Sequence, residues 1–233
     1  MTCPVVTNRT GNINQNNNER RAQKTTVIVE AFPAENGDSL LVSFQDCHLL
    51  IDTGYEETFN KHLTPRFAEL KRAGQKLSRL IITHVDQDHI HGAIPMIKAN
   101  GNTDQNQIIG IDQVWHNSYR HLHKGEDPTD ISSEGKQLLS RLNTSGSSVG
   151  GTVSFKQGSS LAAELLSGKY KWNCDFDQGP VVAPYEPVSI SEDVTITLLS
   201  PTAEKLEKLE KFWKKELKRI GFKLYKSINY LRS

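Results

Sequence analysis

Apolar residues first gather in Thr25-Thr26-Val27-Ile28-Val29-Glu30-Ala31-Phe32, a β-branched run of the kind that fits a pleated surface. An Asn36-Gly37 turn follows, then apolar runs at 39–44 and 48–51, so three consecutive strands are predicted. The period then changes. Phe59, Leu63, Phe67 and Leu70 recur at helical spacing between Glu56 and Ala73, and Gly74 is placed to end that helix. A strand is predicted at 77–83, a helix at 90–99 and a further strand at 111–115. Alternating strands and helices of this length predict a layered α/β protein.

Further along, residues 125–151 are polar and rich in Ser and Gly, apart from a short helical pattern at 136–142. A helix is predicted over 155–166, and a hairpin over 188–190 and 194–199 turns across Glu192-Asp193 and stops at Ser200-Pro201. From 202 to about 225 the pattern is an amphipathic helix, with Leu206, Leu209, Phe212 or Trp213, Leu217, Ile220 and Leu224 on one face. Glu204–Lys208, Glu207–Lys211 and Glu210–Lys214 are favourable pairs one turn apart. Its basic excess reads first as a solvated face and second as a nucleic-acid or partner contact. Residues 7–24 hold almost no large apolar side chains and cannot bury enough surface to offset their ordering entropy. The predicted organisation is therefore an arm at 1–24, a domain at 25–201, and a C-terminal helix and tail at 202–233.

The chemistry concentrates after the strand at 77–83. Thr83-His84-Val85-Asp86-Gln87-Asp88-His89-Ile90-His91-Gly92 sets His84, Asp86, Asp88 and His89 within six positions of a strand end. His84 and Asp86 alternate, so both can converge on one point, while Asp88 and His89 can serve a second. Imidazole and carboxylate suit zinc, manganese or iron, and two such ions about 3.5–4 Å apart activate water and polarise the bond it attacks. The competing reading is a helix N-terminus capped by Asp86 or Asp88, with solvated histidines.

This loop, with Ile51-Asp52-Thr53-Gly54 before it, resembles the H-x-[HD]-x-D-H and I-D-T-G elements of the metallo-β-lactamase superfamily. The aspartate at Asp86 is most similar to the branch containing the nucleic-acid-degrading domain of DNA-uptake competence channels. The resemblance implies an αββα sandwich and a hydrolase of phosphodiester or other ester bonds. It implies a site for up to two divalent cations, zinc by default, with manganese or iron as alternatives. His84 and Asp86 would hold one ion and Asp88 and His89 the other, with Asp88 also orienting the attacking water. Asp52 would orient the loop by hydrogen bonding rather than ligate. A histidine at a later strand end supplies the family's third ligand motif; His116 is the candidate, with Asn117 as the alternative. His121 and His123 read as solvated loop or lid residues, His91 as structural or substrate-facing, and His48 and His62 as carrying no function. The resemblance spans roughly 25–201. The family's later aspartate and histidine motifs have no counterpart: no histidine follows His123, and the setting of Asp175 and Asp177 does not match. The sandwich is thus expected to be incomplete, with a second subunit completing it or a partial homologue serving as a recognition or assembly module. The same gap argues against β-lactam hydrolysis.

Bulk properties narrow little. The 233 residues, 36% hydrophobic and 24% charged, fit one globular domain, and a net charge of +1 makes no overall case for nucleic acid. A nuclease reading would need a local basic surface instead, and the expected substrates are small-molecule or nucleic-acid phosphodiesters. Three scattered cysteines argue against a disulfide framework and for a reducing compartment. No apolar segment approaches the roughly 20 residues that span a bilayer, so the expected setting is cytoplasmic with no membrane partner.

Overall fold

The computed structural model describes residues 26–122 and 150–219. The polar arm, His123, the short helical pattern at 136–142 and the end of the tail helix fall outside them. Five strands form one mixed sheet in sequence order: β1 (Val27–Ala31), β2 (Leu40–Phe44), β3 (Cys47–Ile51), β4 (Arg79–Ile82) and β5 (Val114–His116). The first three make an antiparallel meander, in which Phe44 faces Cys47 across a two-residue turn. From β3 to β5 the pairing is parallel, with Ile51 opposite Ile81 and Ile82 opposite His116. Parallel neighbours need crossovers, and helices supply both of them. All three strand ends therefore open at the same edge.

The first crossover is helical from α1 (Glu56–Thr58) through a π-helical turn at Phe59–Leu63 into α2 (Thr64–Arg72). The sequence predicts one regular helix here. The wider turn instead carries Thr64 Oγ1 onto the Phe59 carbonyl at 2.9 Å and allows Pro65 near the start of α2. After β4 come α3 (Gln87–Ile90) and α4 (Ala93–Asn100), where a single helix at 90–99 is predicted; the break falls at His91-Gly92. Then follow α5 (Tyr119–Leu122), α6 (Gly150–Ser167) and α7 (Ala203–Arg219).

Side chains alternate along the strands and so divide the core in two. Leu41, Leu50, Leu80, Ile82 and Val114 meet Phe59, Leu63, Phe67, Met96, Ile97, Leu161 and Leu165 from the helices, and Trp172 closes this cluster. On the opposite face Trp115 and Ile81 pack with Phe176, Val181, Val188 and Ile196. That second layer includes a two-stranded antiparallel ribbon, β6 (Val188–Ser189) and β7 (Thr195–Ile196), the predicted hairpin in shortened form. The result is a mixed α/β fold with a central sheet and helices, as expected for the metallo-β-lactamase architecture.

The tail helix is part of this body. Trp213 is fully buried in a cluster with Leu206 and Leu122, packed against Val85 and Tyr119. A Cβ at Gly158 would stand 2.9 Å from the Trp213 ring and 3.3 Å from Val85, so glycine is needed where α6, α7 and the loop after β4 converge. Two predicted pairs on α7 form, Lys208 to Glu204 at 2.7 Å and Lys214 to Glu210 at 2.5 Å. Cys47 is buried and unpaired, whereas Cys174 is disulfide-bonded, a pairing the scattered cysteine spacing does not suggest. Among the described residues no helix is long and apolar enough to cross a membrane.

Candidate metal centre

β3 and β4 end side by side, and what leaves them builds the site. Asp52 directly follows β3 with φ at 55°, in the left-handed region that a residue other than glycine rarely occupies. That backbone turns a buried carboxylate toward the neighbouring loop. Asp52 Oδ1 accepts from the Thr83 amide at 2.8 Å; Oδ2 accepts from the Thr83 hydroxyl and lies 3.0 Å from His89 Nδ1. Burial pushes the Asp52 carboxyl up, and the bonds from Thr83 and His89 oppose that push.

Asp52, His84 and His89 offer ligand atoms that all lie within 4.8 Å of one another. Both Asp52 oxygens, however, are already engaged with protein donors. An ionised carboxylate only accepts, so the proton of His89 belongs on Nδ1 and the Nε2 lone pair is left for another partner. Asp52 therefore acts on the site by orienting His89. The His84 and His89 rings lie 4.8 Å apart, and His84 is exposed with Nδ1 2.8 Å from the Thr83 hydroxyl. Asp88 Oδ2 lies 3.9 Å from His89 Nε2. Two ligands on a tetrahedral ion with bonds of roughly 2.0–2.1 Å stand roughly 3.3 Å apart, so a small side-chain movement would let both reach one cation. Asp86 occupies the N-cap position of α3 with extended backbone, yet its side chain makes no capping hydrogen bond. The helix start is thus where the capping reading puts it, but without the bond that reading requires.

The loop between β1 and β2 braces this arrangement. Asn36 Nδ2 donates to Asp88 Oδ2 at 3.3 Å, while the Tyr55 hydroxyl donates to Asn36 Oδ1 at 3.0 Å. A Cβ on Gly37 would lie 1.8 Å from the Asp88 carbonyl oxygen, so only glycine permits the approach. Asp38 Oδ2 comes within 3.9 Å of His89 Nδ1. The sequence marks Asn36-Gly37 as a turn and gives neither it nor Thr83 a role at the site. Thr83 adjoins His84 at the strand end, a position from which its part could have been inferred; Asn36 carries no such signal.

His116 ends β5 beside Ile82, two residues before His84 in the neighbouring strand's continuation. It is fully buried, its Nε2 has no hydrogen-bond partner, and its ring stacks on Trp172 at 5.8 Å. Burial drives its pKa down to about 4, partly opposed by a backbone bond at Gly158. An orphaned, buried, neutral imidazole nitrogen is suited to a metal, though His116 stands outside the close group of Asp52, His84 and His89. Asn117, the alternative, is committed elsewhere: it donates to the Val181 carbonyl and accepts from the Val181 amide, both at 2.8 Å. His121 is half-buried rather than a fully solvated loop residue, with Nδ1 3.2 Å from the Ser118 hydroxyl, and desolvation lowers its pKa to about 3. His91 is half-buried, edge-on to Tyr55, and its Nδ1 lacks a partner. His48, given no function, is bonded to Ser43 and Gln75 at the far end of the sheet.

Asp175 is also settled. It receives Arg79 through Nε at 2.8 Å and Nη2 at 3.1 Å, Gln113 at 2.9 Å and the Trp115 indole at 2.8 Å. Arg79 begins β4, at the end of the strand away from the histidine loop, so this carboxylate fastens the second layer to the sheet and cannot serve the site.

Imidazoles and carboxylates are gathered here at the carboxyl ends of parallel strands, and their donor chemistry fits a divalent cation. The family model of the metallo-beta-lactamase superfamily matches residues 33–105, about a third of the chain. The match takes in Asp52 and the whole loop from His84 to His89, and ends before β5 and His116. No curated protein matches the chain.

Proposed function

We propose that the protein is a metal-dependent hydrolase of phosphodiester or other ester bonds. The observation that carries this reading is the Asp52–His89 contact, which fixes the imidazole with Nε2 turned toward the group that includes His84 and Asp88. His84 and Asp86 would hold one cation and Asp88 and His89 a second, with His116 contributing its orphaned nitrogen. When bound, a divalent ion there supplies Lewis acidity and makes water acidic enough to attack near neutral pH. The chain's own residues do the positioning. Asp52 and Thr83 set the loop, Asn36 holds one oxygen of Asp88, and the other oxygen remains to accept a proton from an attacking water. No serine or cysteine nucleophile is needed. Zinc is the first choice of metal, with manganese or iron favoured if Asp86 and Asp88 dominate the ligand set. The aspartate at 86 keeps the likeness to the competence-channel branch as part of this proposal.

Metal analysis of the purified chain, with His84→Ala and Asp88→Ala, against a panel of phosphodiesters and neutral esters is the direct test. Bound metal lost in both variants together with cleavage supports the reading; metal-free, inactive wild-type protein sinks it.

One observation favours a second reading, a non-catalytic assembly module. Among the described residues β1 is an edge strand, and Val27, Ile28 and Val29 are 57%, 53% and 59% exposed on it, an unusual apolar run for a sheet edge. The native mass in solution separates the two, since a module that pairs through β1 would run as an oligomer that Val29→Lys disperses.

A further inference from the structure

Each of three other arginines has an acceptor. Arg66 reaches Glu30 and Glu69, Arg79 reaches Asp175, and Arg72 donates to the Ala68 carbonyl. Arg120 differs. Among the described residues its guanidinium makes no salt bridge and no hydrogen bond, and its contact is with the face of Trp172, whose centroid lies 5.2 Å from Cζ. It is nevertheless half-buried, and burial without a compensating anion acts against its charged form. A guanidinium stays protonated, so the fold carries a partly dehydrated charge that nothing in its described surroundings offsets.

The setting is specific. α5 begins three residues after β5 ends, at the edge where β4 delivers His84 and where ligands of parallel sheets commonly sit. Trp172 is itself rigid, buried in the core with its indole nitrogen donating to the His116 carbonyl at 2.8 Å. An aromatic floor offers no acceptor, so the guanidinium edge keeps its paired N–H groups for another partner. That edge matches two oxygens of one oxyanion. His116 and His121, the titratable neighbours around Trp172, meet it through their rings and leave Arg120 as the fixed cation of the group.

We propose that Arg120 is the anion-binding residue of this site, receiving two non-bridging oxygens of a substrate phosphoryl group on the Trp172 platform. The inference rests on the hydrolase reading for its substrate and narrows that reading from esters in general to phosphate esters. A neutral ester presents no pair of anionic oxygens to this edge.

The test uses the full chain, zinc-loaded and chelator-treated, with Arg120→Met, which keeps an apolar stem over Trp172, and Arg120→Lys, which keeps charge without the fork. Inorganic phosphate is titrated calorimetrically, and hydrolysis is followed with bis(p-nitrophenyl) phosphate and with neutral p-nitrophenyl acetate. Arg120→Met should weaken phosphate binding by about tenfold or more and raise KM for the diester similarly, with kcat within about threefold. The acetate ester should be unaffected, and Arg120→Lys should recover part of the loss. The melting temperature of Arg120→Met should equal or exceed that of the wild type, since an unpaired charge is removed; a residue kept for structure would lower it. Unchanged phosphate affinity in Arg120→Met, or equal losses on both esters with a lower melting temperature, overturns the proposal. Phosphate binding through Arg120 in a chain that takes up no zinc and cleaves neither ester leaves the anion site standing and the hydrolase reading fallen. Diester cleavage indifferent to Arg120→Met does the opposite, removing the anion site while the hydrolase reading stands.

Discussion

Asp52 and His89 stand 37 residues apart along the chain and meet at 3.0 Å, carboxylate oxygen against imidazole Nδ1. The contact needs the left-handed backbone at Asp52, the parallel pairing of β3 with β4, and a short α3 that swings His89 back over the strand ends. Local strain is thus held in place by sheet pairing, a pattern common where geometry serves chemistry.

Asp52→Asn keeps the shape of the side chain but removes the charge that places the His89 proton on Nδ1. Zinc affinity, measured against a competing chelator, should fall by about 10- to 100-fold. An unchanged affinity would show that His89 needs no orienting partner.

Gly37→Ala forces a methyl group against the Asp88 carbonyl, where 1.8 Å of room is left. Relief requires the turn or the start of α3 to move, at a cost of about 1–3 kcal/mol in urea unfolding. Zinc affinity should fall with it, because the displaced segment carries Asp88. Stability loss without loss of zinc would place the strain elsewhere.

Asp175→Ala should separate the two kinds of carboxylate. It strands Arg79, whose side chain is only 10% exposed, and by analogy with other buried pairs costs about 3–5 kcal/mol. Zinc affinity in the folded protein should be unchanged, in contrast to Asp52→Asn.

His116 and His121 predict the acid limb of stability for the chelator-treated protein. Burial lowers their pKa values to about 4 and about 3 from an ordinary 6.5. As pH falls below 6.5 the unfolded chain takes up protons that the folded chain refuses. The stability these groups contribute is therefore complete above pH 6.5 and is lost progressively down to about pH 4 for His116 and about pH 3 for His121. The slope is on the order of 1 kcal/mol per pH unit for each imidazole. Urea titrations across this range should show it, and His121→Gln should flatten it by roughly half; a pH-independent wild type between 4 and 6.5 would contradict the desolvation of both rings.

Much of the scaffold is legible in the chain because its signals are local. β-branched runs gave β1 to β3 within two residues, and the helical period at Phe59, Leu63, Phe67 and Leu70 gave the first crossover, though not its π-helical turn, which depends on how Pro65 is accommodated. The loop from His84 to His89 could be read because all its donors are neighbours in sequence. What could not be read depends on contacts made across long stretches of chain. Asn36 reaches Asp88 over 52 residues and Arg79 reaches Asp175 over 96, and neither residue type nor spacing announces such pairs. Arg120 is the sharpest case, since an arginine beside a histidine cluster draws no notice until it is known to lack an acceptor among the described residues.

Trp213 lies against Val85, between the two potential ligands His84 and Asp86. The indole is consequently a built-in optical gauge of that loop. Cation uptake that draws His84 and Asp86 together must jostle its walls, so the ultraviolet emission of the unlabelled protein should report loading in real time, and Trp213→Phe should silence the signal.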